Sequence, residues 1–382
     1  MASSYPSLRP SGVAEKLWLV HWPLLIALSL LAATGTAVLY AVADGSFQPW
    51  AERHALRFLI CLGVVLVMAV IRPQVWIKLA YPAYAIALIM LLLVLLAGDE
   101  VLGARRWISL GPVTFQPSEL MKLALVLALA RYYQWLPVSH VSRWQWVAIP
   151  AALIAVPVAF TLKQPDLGSS VLFSALGLSL MFLAGVSVWY FVCGGVAAVA
   201  ALPLIWSNLH DYQRRRVEIF LNPDKDPLGS GYHITQSKIA LGSGGVSGKG
   251  FMQGTQSHLD FVPEKHTDFI ASIIGEEWGF VGLVLLILLY ALVLVILMTM
   301  ARQCRNRFGK LLIAGSAMTF FVYVFINLAM VMGLVPVVGV PLPLVSYGGT
   351  SMTTLMLSIG LAMSGYVHGR QPIHRDEIGP FL

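Results

Sequence analysis

Residues 17–43 read LWLVHWPLLIALSLLAATGTAVLYAVA, a run without a single Asp, Glu, Lys or Arg. About twenty apolar residues in a helix cross a bilayer. This run is therefore a spanning helix, and it is too long for the apolar core of a cleavable signal peptide. Nine more apolar blocks follow, at about 56–71, 74–98, 117–136, 142–162, 168–186, 188–207, 268–301, 310–335 and 350–368. Composition agrees: of 382 residues, 58% are apolar and only 11% charged, with a mean hydropathy of +0.78. A soluble globular chain carries about 25% charged residues. That excludes a soluble enzyme, a disordered chain and a secreted disulfide scaffold. The sequence predicts an all-α polytopic integral membrane protein, one domain over residues 1–382. It has about ten transmembrane helices and a large extracytoplasmic loop, about 208–267, between spans seven and eight.

The net charge of +7 would suggest nucleic acid in a soluble protein. Here positively charged cytoplasmic loops and anionic head groups account for it, and no nucleic-acid partner is expected. An even number of spans puts both termini on one side. Placing them in the cytoplasm gives that side twelve Lys and Arg against six, once the long 208–267 loop is set aside. Long loops are translocated largely regardless of charge. Cys61, Cys193 and Cys304 form no CxxC motif, so neither a disulfide framework nor a metal site is implied.

The two faces differ. Loops on the cytoplasmic side are short, whereas the outer side carries 44–55, 99–116, 163–167, 208–267 and 336–349, with most of the acidic residues. Long connections are usually functional or disordered, so the chemistry is expected on the outer face. Ionisable groups at the rim of a span are functional candidates by default, and three places hold them. Gln116-Pro117-Ser118-Glu119-Leu120-Met121-Lys122 opens span four with good helix-start residues. Glu119 and Lys122 share a face, either as a self-neutralising pair or as a charged cavity wall. Lys163-Gln164-Pro165-Asp166-Leu167-Gly168 forms an outer turn at the same depth. Pro263-Glu264-Lys265-His266-Thr267-Asp268-Phe269 lies where the long loop re-enters the membrane. Asp268 there reads either as a plain helix cap or as a carboxylate with a raised pKa, suited to general-base work. Glu276 and Glu277 sit deeper and require an aqueous or basic partner.

Within the long loop, Gln213-Arg214-Arg215-Arg216 and the glycine-rich Leu241–Gly250 stand out. The latter is no Walker A loop, because Lys249 is followed by Gly250 and position 243 is Ser. It reads as a flexible connector or as a cradle in which backbone N–H groups, Lys249 and the arginines hold an anion such as a diphosphate. Pro223, Pro227 and the glycines argue against one long helix in this loop, although 234–241 suits a short amphipathic one. The last outer loop, Gly339 to Thr350 with Ser346-Tyr347-Gly348-Gly349, sets a non-helical path at membrane depth. Such a path is tolerated only where it lines protein or a watery cavity.

Taken together these segments resemble the SEDS family (shape, elongation, division and sporulation proteins), most of all its RodA-type members. The resemblance rests on Gly103-Ala104-Arg105-Arg106-Trp107, Gln116-Pro117-Ser118-Glu119 with Lys122, Lys163 to Gly168, and Gln213 to Arg216. It also rests on Asp226 to His233, Gln236 to Gly245, Phe261 to Phe269, and Pro343 to Gly349, in that order. It implies a peptidoglycan glycosyltransferase that polymerises lipid II at the outer face of a bacterial inner membrane for cell elongation, inverting the anomeric carbon and releasing undecaprenyl diphosphate. It further implies Asp268 as the catalytic carboxylate, Glu119, Lys122 and Asp166 in a central cavity, and Arg106 and Trp107 in an outer-loop motif. Lys163, Arg214, Arg216, Lys249, Lys265, His266 and Ser346 complete the expected substrate contacts. The implied partners are a class B penicillin-binding protein with transpeptidase activity, the undecaprenyl-linked glycan strand and membrane proteins of the elongation complex. The pattern assigns no cofactor and leaves a divalent cation open. Lys122, Arg106, Arg214–Arg216 or a divalent cation would meet the leaving diphosphate. A lipid-linked precursor flippase is the main rival, disfavoured because functional polar groups are nearly missing at cytoplasmic depth. A non-enzymatic cell-wall scaffold is the second.

Overall fold

In the computed structural model the described residues are 12–370 and Ile373, apart from 98, 102–103, 111–112, 209–210, 223–225, 227–228, 260 and 262–263. A short α1 (Val13–Trp18) precedes α2 (Trp22–Val42), α3 (Ala51–Val70) and α4 (Pro73–Ala97). Three short strands follow, β1 (Asp99–Val101), β2 (Ala104–Leu110) and β3 (Val113–Phe115), paired antiparallel in that order. Then come α5 (Pro117–Trp135), α6 (Trp144–Lys163), α7 (Leu167–Leu183), α8 (Val188–Ala200) and α9 (Leu202–Asn208). The long loop carries α10 (Asp211–Leu221), α11 (Ser230–Ser243) and α12 (Thr255–His258). The chain closes with α13 (Ile270–Gln303), α14 (Arg307–Val331) and α15 (Gly349–Val367).

This is the expected all-α multi-pass membrane bundle, with one small sheet inserted between α4 and α5. Among the described residues six helices, α2, α3, α4, α6, α13 and α14, are long and apolar enough to cross a bilayer by length and composition. The seventh apolar block divides into α8 and α9 because Pro203 lacks an N–H and its ring crowds the carbonyl four residues back. The 234–241 segment is helical as part of α11, while Pro223, Pro227 and Pro263 lie outside the described residues.

Burial sorts the helices. In α5, residues 117–119 and 121–130 are all buried, together with Tyr132 and Tyr133. Most positions of α14 and α15 are buried as well, whereas α8 buries none. The bundle therefore has a protein-enclosed centre of α5, α14 and α15 and a lipid-facing periphery. Two peripheral joints show how it is fastened. Pro150 and Pro157 interrupt α6, freeing the carbonyls of Trp146 and Leu153. The Tyr132 hydroxyl of α5 donates to the first at 2.6 Å and the Tyr84 hydroxyl of α4 to the second at 2.8 Å. Without water, an unpaired carbonyl in hydrocarbon costs several kcal/mol, so each proline also fixes a neighbouring helix.

Helix α13 breaks at Gly279, whose φ of 67° and ψ of −163° are non-helical. The glycine-rich loop fills that break. Lys249 and Gly250 donate their N–H groups to the carbonyls of Glu276 and Glu277, and Phe280 and Val281 donate to those of Gly245 and Val246. Close approach demands glycine here: a Cβ on Gly248 would stand 2.1 Å from the Glu277 carbonyl oxygen.

Candidate active site

The non-helical stretch between α14 and α15 shapes one wall of the site. It survives at membrane depth because side chains from three helices satisfy it. His54 on α3 bonds the Leu344 carbonyl at 3.0 Å, Tyr290 on α13 donates to that of Pro343 at 2.7 Å, and Asn327 on α14 donates to that of Val340 at 2.7 Å. The Ser346 hydroxyl accepts from the Leu342 N–H at 2.8 Å and donates to the Thr267 carbonyl. The Tyr347 N–H donates to the His266 carbonyl, and Asn327 Nδ2 also donates to the Asp268 carbonyl at 2.8 Å. Three tethers thus hold segment 266–268 against this stretch.

Between them opens a cavity of about 360 Å³. Its lining brings together Trp107, Glu119, Lys122, Asp166, His266 and Asp268, all expected from sequence, with Gln116, Tyr323 and Gly339. Glu119 and Lys122 prove to be both of the things their spacing allowed. They pair at 2.6 Å, exposed by only 6% and 2%, and they line the cavity. The Tyr323 hydroxyl bonds Glu119 Oε1 and Oε2 at 3.0 and 2.9 Å and also contacts Lys122 Nζ. A buried ion pair repays its desolvation only when further hydrogen bonds complete it, and Tyr323 supplies them. Asp166 caps α7, accepting from the Ser169 N–H at 3.2 Å and its hydroxyl at 2.7 Å, while still lining the cavity.

Asp268 differs from all of these. It is not the cap of α13: the N-cap residue is Phe269, with no side-chain capping bond. Among the described residues its carboxylate has no hydrogen-bond or ion-pair partner, and it faces Gly339, where a Cβ would stand 3.4 Å from Oδ2. Gly339 has φ +71°, so both its backbone and the room it leaves favour glycine. Burial, then the nearby Glu264 carboxylate, pushes the Asp268 pKa up to about 6. His266 stacks on Trp50 with ring centroids 4.6 Å apart. Burial lowers its pKa, opposed by Glu264. The arrangement is a carboxylate free to take a proton, in a pocket whose other charges are held in place.

Other expected contacts lie elsewhere. Lys249 pairs with Glu276 at 2.6 Å and donates to Thr255 at 2.7 Å. It is the basic partner that Glu276 required, and the glycine-rich N–H groups of Lys249 and Gly250 are spent on α13 rather than on an anion. Arg214 donates to the carbonyls of Trp206 and Ser207. Lys163 is exposed and Lys265 half-buried, and neither lines the cavity. Ser346 holds the loop rather than facing the cavity. Arg106 lies on β2 beside Trp107 and Arg216 on α10, but their side chains are outside the described residues. Among the described residues no group of three or more His, Cys, Asp or Glu is placed to hold a metal ion. The sequence reading missed Tyr323 and Asn327, although polar residues four apart in the apolar run of α14 share a face. It also missed the role of Gly339.

Comparison with known proteins agrees with this architecture. The FtsW/RodA/SpoVE family, described as cell cycle proteins, matches residues 15–370. Peptidoglycan glycosyltransferase MrdB of Escherichia coli K12 is 43% identical over 358 residues, covering 93% of this chain and 95% of that protein. The probable peptidoglycan glycosyltransferase FtsW of Haemophilus influenzae is 36% identical over 350 residues, covering 89% and 87%. Among solved structures, a chain from a peptidoglycan synthase complex, solved for its coordination of polymerisation and crosslinking, superposes with a TM-score of 0.80. It has 33% identity over 92% of this chain and 99% of that one. The rod shape-determining protein RodA of Thermus thermophilus gives 0.69 at 29% identity, over 92% and 98%. The ordered motifs, the shared fold and a match across nearly the whole length lead to one assignment: this chain belongs to the FtsW/RodA/SpoVE family.

Proposed function

We propose that this protein is a peptidoglycan glycosyltransferase that polymerises lipid II at the outer face of the inner membrane, with Asp268 as general base. The observation that carries the reading is the unpartnered Asp268 carboxylate lining a cavity at the rim of α13. Lipid II keeps its polyprenyl tail in the bilayer and its sugars in the outer aqueous layer, so an enzyme acting on it needs its charges at that rim. The acceptor 4-hydroxyl oxygen attacks the anomeric carbon as the bond to the diphosphate breaks. Attack opposite the leaving group inverts the α-linkage to β, and Asp268 takes the hydroxyl proton. A base with a pKa near 6 is largely ionised at neutral pH and still basic enough to accept. The Glu119–Lys122–Tyr323 group and Asp166 then act as sugar contacts and as rigid wall.

The partner on this reading is a class B penicillin-binding protein that crosslinks the new strand, alongside membrane proteins of the elongation complex. Both termini are cytoplasmic. The test is Asp268→Asn, purified and incubated with labelled lipid II with and without the partner. The expected result is a loss of at least 10³-fold in glycan polymer with an unchanged unfolding midpoint or a higher one. Polymerisation retained in that variant removes the assignment.

A further inference from the structure

The reaction proposed above expels a diphosphate, whose negative charge has to be met. The wall built by α5 and α7 does not meet it: Glu119, Lys122 and Asp166 together carry a net negative charge, and Lys122 is held by Glu119 and Tyr323. Arg214 and Lys249 are engaged elsewhere. The wall formed by α15 is different. Arg57, on α3, lies directly behind Gly349, where a Cβ would stand 3.0 Å from its Cζ and Nη1. Its guanidinium lies 5.5 Å from the centre of the Tyr347 ring. Nη1 is sealed from solvent with no hydrogen-bond partner, and among the described residues the group forms no ion pair. Gly348, Gly349, Thr350 and Ser351 line the cavity, with the Arg57 guanidinium just behind that lining, and the first turn of α15 carries neither a side-chain cap nor an acid.

A cation beside the positive end of a helix, without a counter-ion, is electrostatically incomplete. An orphaned buried N–H adds a desolvation penalty, larger for a charged group. One ligand relieves both: an anion with several acceptor oxygens, which the planar fork of arginine engages in a two-pronged contact. We propose that Arg57, with the first turn of α15, binds the diphosphate of the polyprenyl-linked substrate. This subsite is separate from the Glu119–Lys122 wall. The inference rests on the glycosyltransferase reading for the identity of its ligand.

The experiment measures binding of undecaprenyl diphosphate and undecaprenyl phosphate to the full-length purified chain by native mass spectrometry, alongside lipid II polymerisation. Arg57→Gln is expected to weaken undecaprenyl diphosphate at least tenfold, and undecaprenyl phosphate less, with kcat/KM for lipid II falling at least tenfold. Arg57→Lys recovers part of the loss. Gly349→Ala, whose methyl displaces the guanidinium while Arg57 stays, weakens binding in the same direction and guards against a folding defect in Arg57→Gln. Undecaprenyl diphosphate bound equally by wild type, Arg57→Gln and Gly349→Ala overturns the subsite. Binding that depends on Arg57 in a wild-type chain unable to polymerise lipid II even with the transpeptidase partner added supports the subsite and overturns the glycosyltransferase reading instead.

Discussion

Asp268 concentrates the argument at the scale of single residues. A base acts in its ionised form, so kcat/KM for lipid II is expected to fall about tenfold per pH unit below about 6 and to level off above 7. A pH–rate profile checks this, and a flat profile from pH 5 to 8 removes Asp268 as the titrating group. The same shift has a stability consequence of definite sign. The folded pKa, about 6, lies above the unfolded one, about 3.9, so between them the folded chain binds more protons. Stability is lost as pH rises through that window, and the ionised carboxylate is a burden at neutral pH. Asp268→Asn is therefore expected to raise stability by about 1–3 kcal/mol at pH 7.5 and to gain little at pH 4, read from unfolding midpoints in detergent. Asp268, Glu119, Asp166 and His266 were legible in the sequence because charged or titrating groups beside apolar runs are conspicuous. Tyr323, Asn327 and Arg57 were not. A tyrosine or asparagine within an apolar run looks ordinary, and Arg57 sits at the outset of span two, where a charge at the edge of an apolar block looks equally ordinary. Their importance arises only from partners far away in sequence.

At the scale of elements, the ten apolar blocks correspond to α2–α7, α8 with α9, and α13–α15, because the length of an apolar run is a direct consequence of bilayer thickness. The glycine-rich loop was less legible. The sequence allows either a connector or an anion cradle, and the break in α13 that the loop fills is invisible without the fold. Lys249 belongs to that joint. Replacing it with alanine leaves the fully buried Glu276 carboxylate without its cation, and removing one partner of a buried pair is strongly destabilising. Because Lys249 is itself partly exposed, the expected loss for Lys249→Ala is about 2 kcal/mol, measured by thermal unfolding. Lys249→Ala combined with Glu276→Gln is expected to recover at least half of it, and KM for lipid II is expected to stay within twofold of wild type. A KM change of tenfold or more in Lys249→Ala would return this residue to the substrate site.

The whole molecule is a bundle whose centre is enclosed by protein and whose cavity sits at one end, on the side of the long loop. The orientation, argued from the charge count, is testable with single cysteines in a background lacking Cys61, Cys193 and Cys304. Val246, in the glycine-rich loop, and Val138, between α5 and α6, are 71% and 78% exposed. A membrane-impermeant maleimide is expected to label Val246→Cys once the outer face is accessible, and Val138→Cys only after permeabilisation. The reverse pattern inverts the topology.

The moorings of segment 266–268 also bear on how the protein comes into being. Asn327, Ser346 and Tyr347 hold this segment in place, and all of them are translated well after Asp268. A nascent chain that has emerged only as far as Gln303 already contains every acidic group of the cavity, yet lacks the three tethers that place Asp268. On the proposed mechanism, catalytic competence waits until the ribosome has finished the final two helices. A half-inserted polypeptide cannot begin building wall.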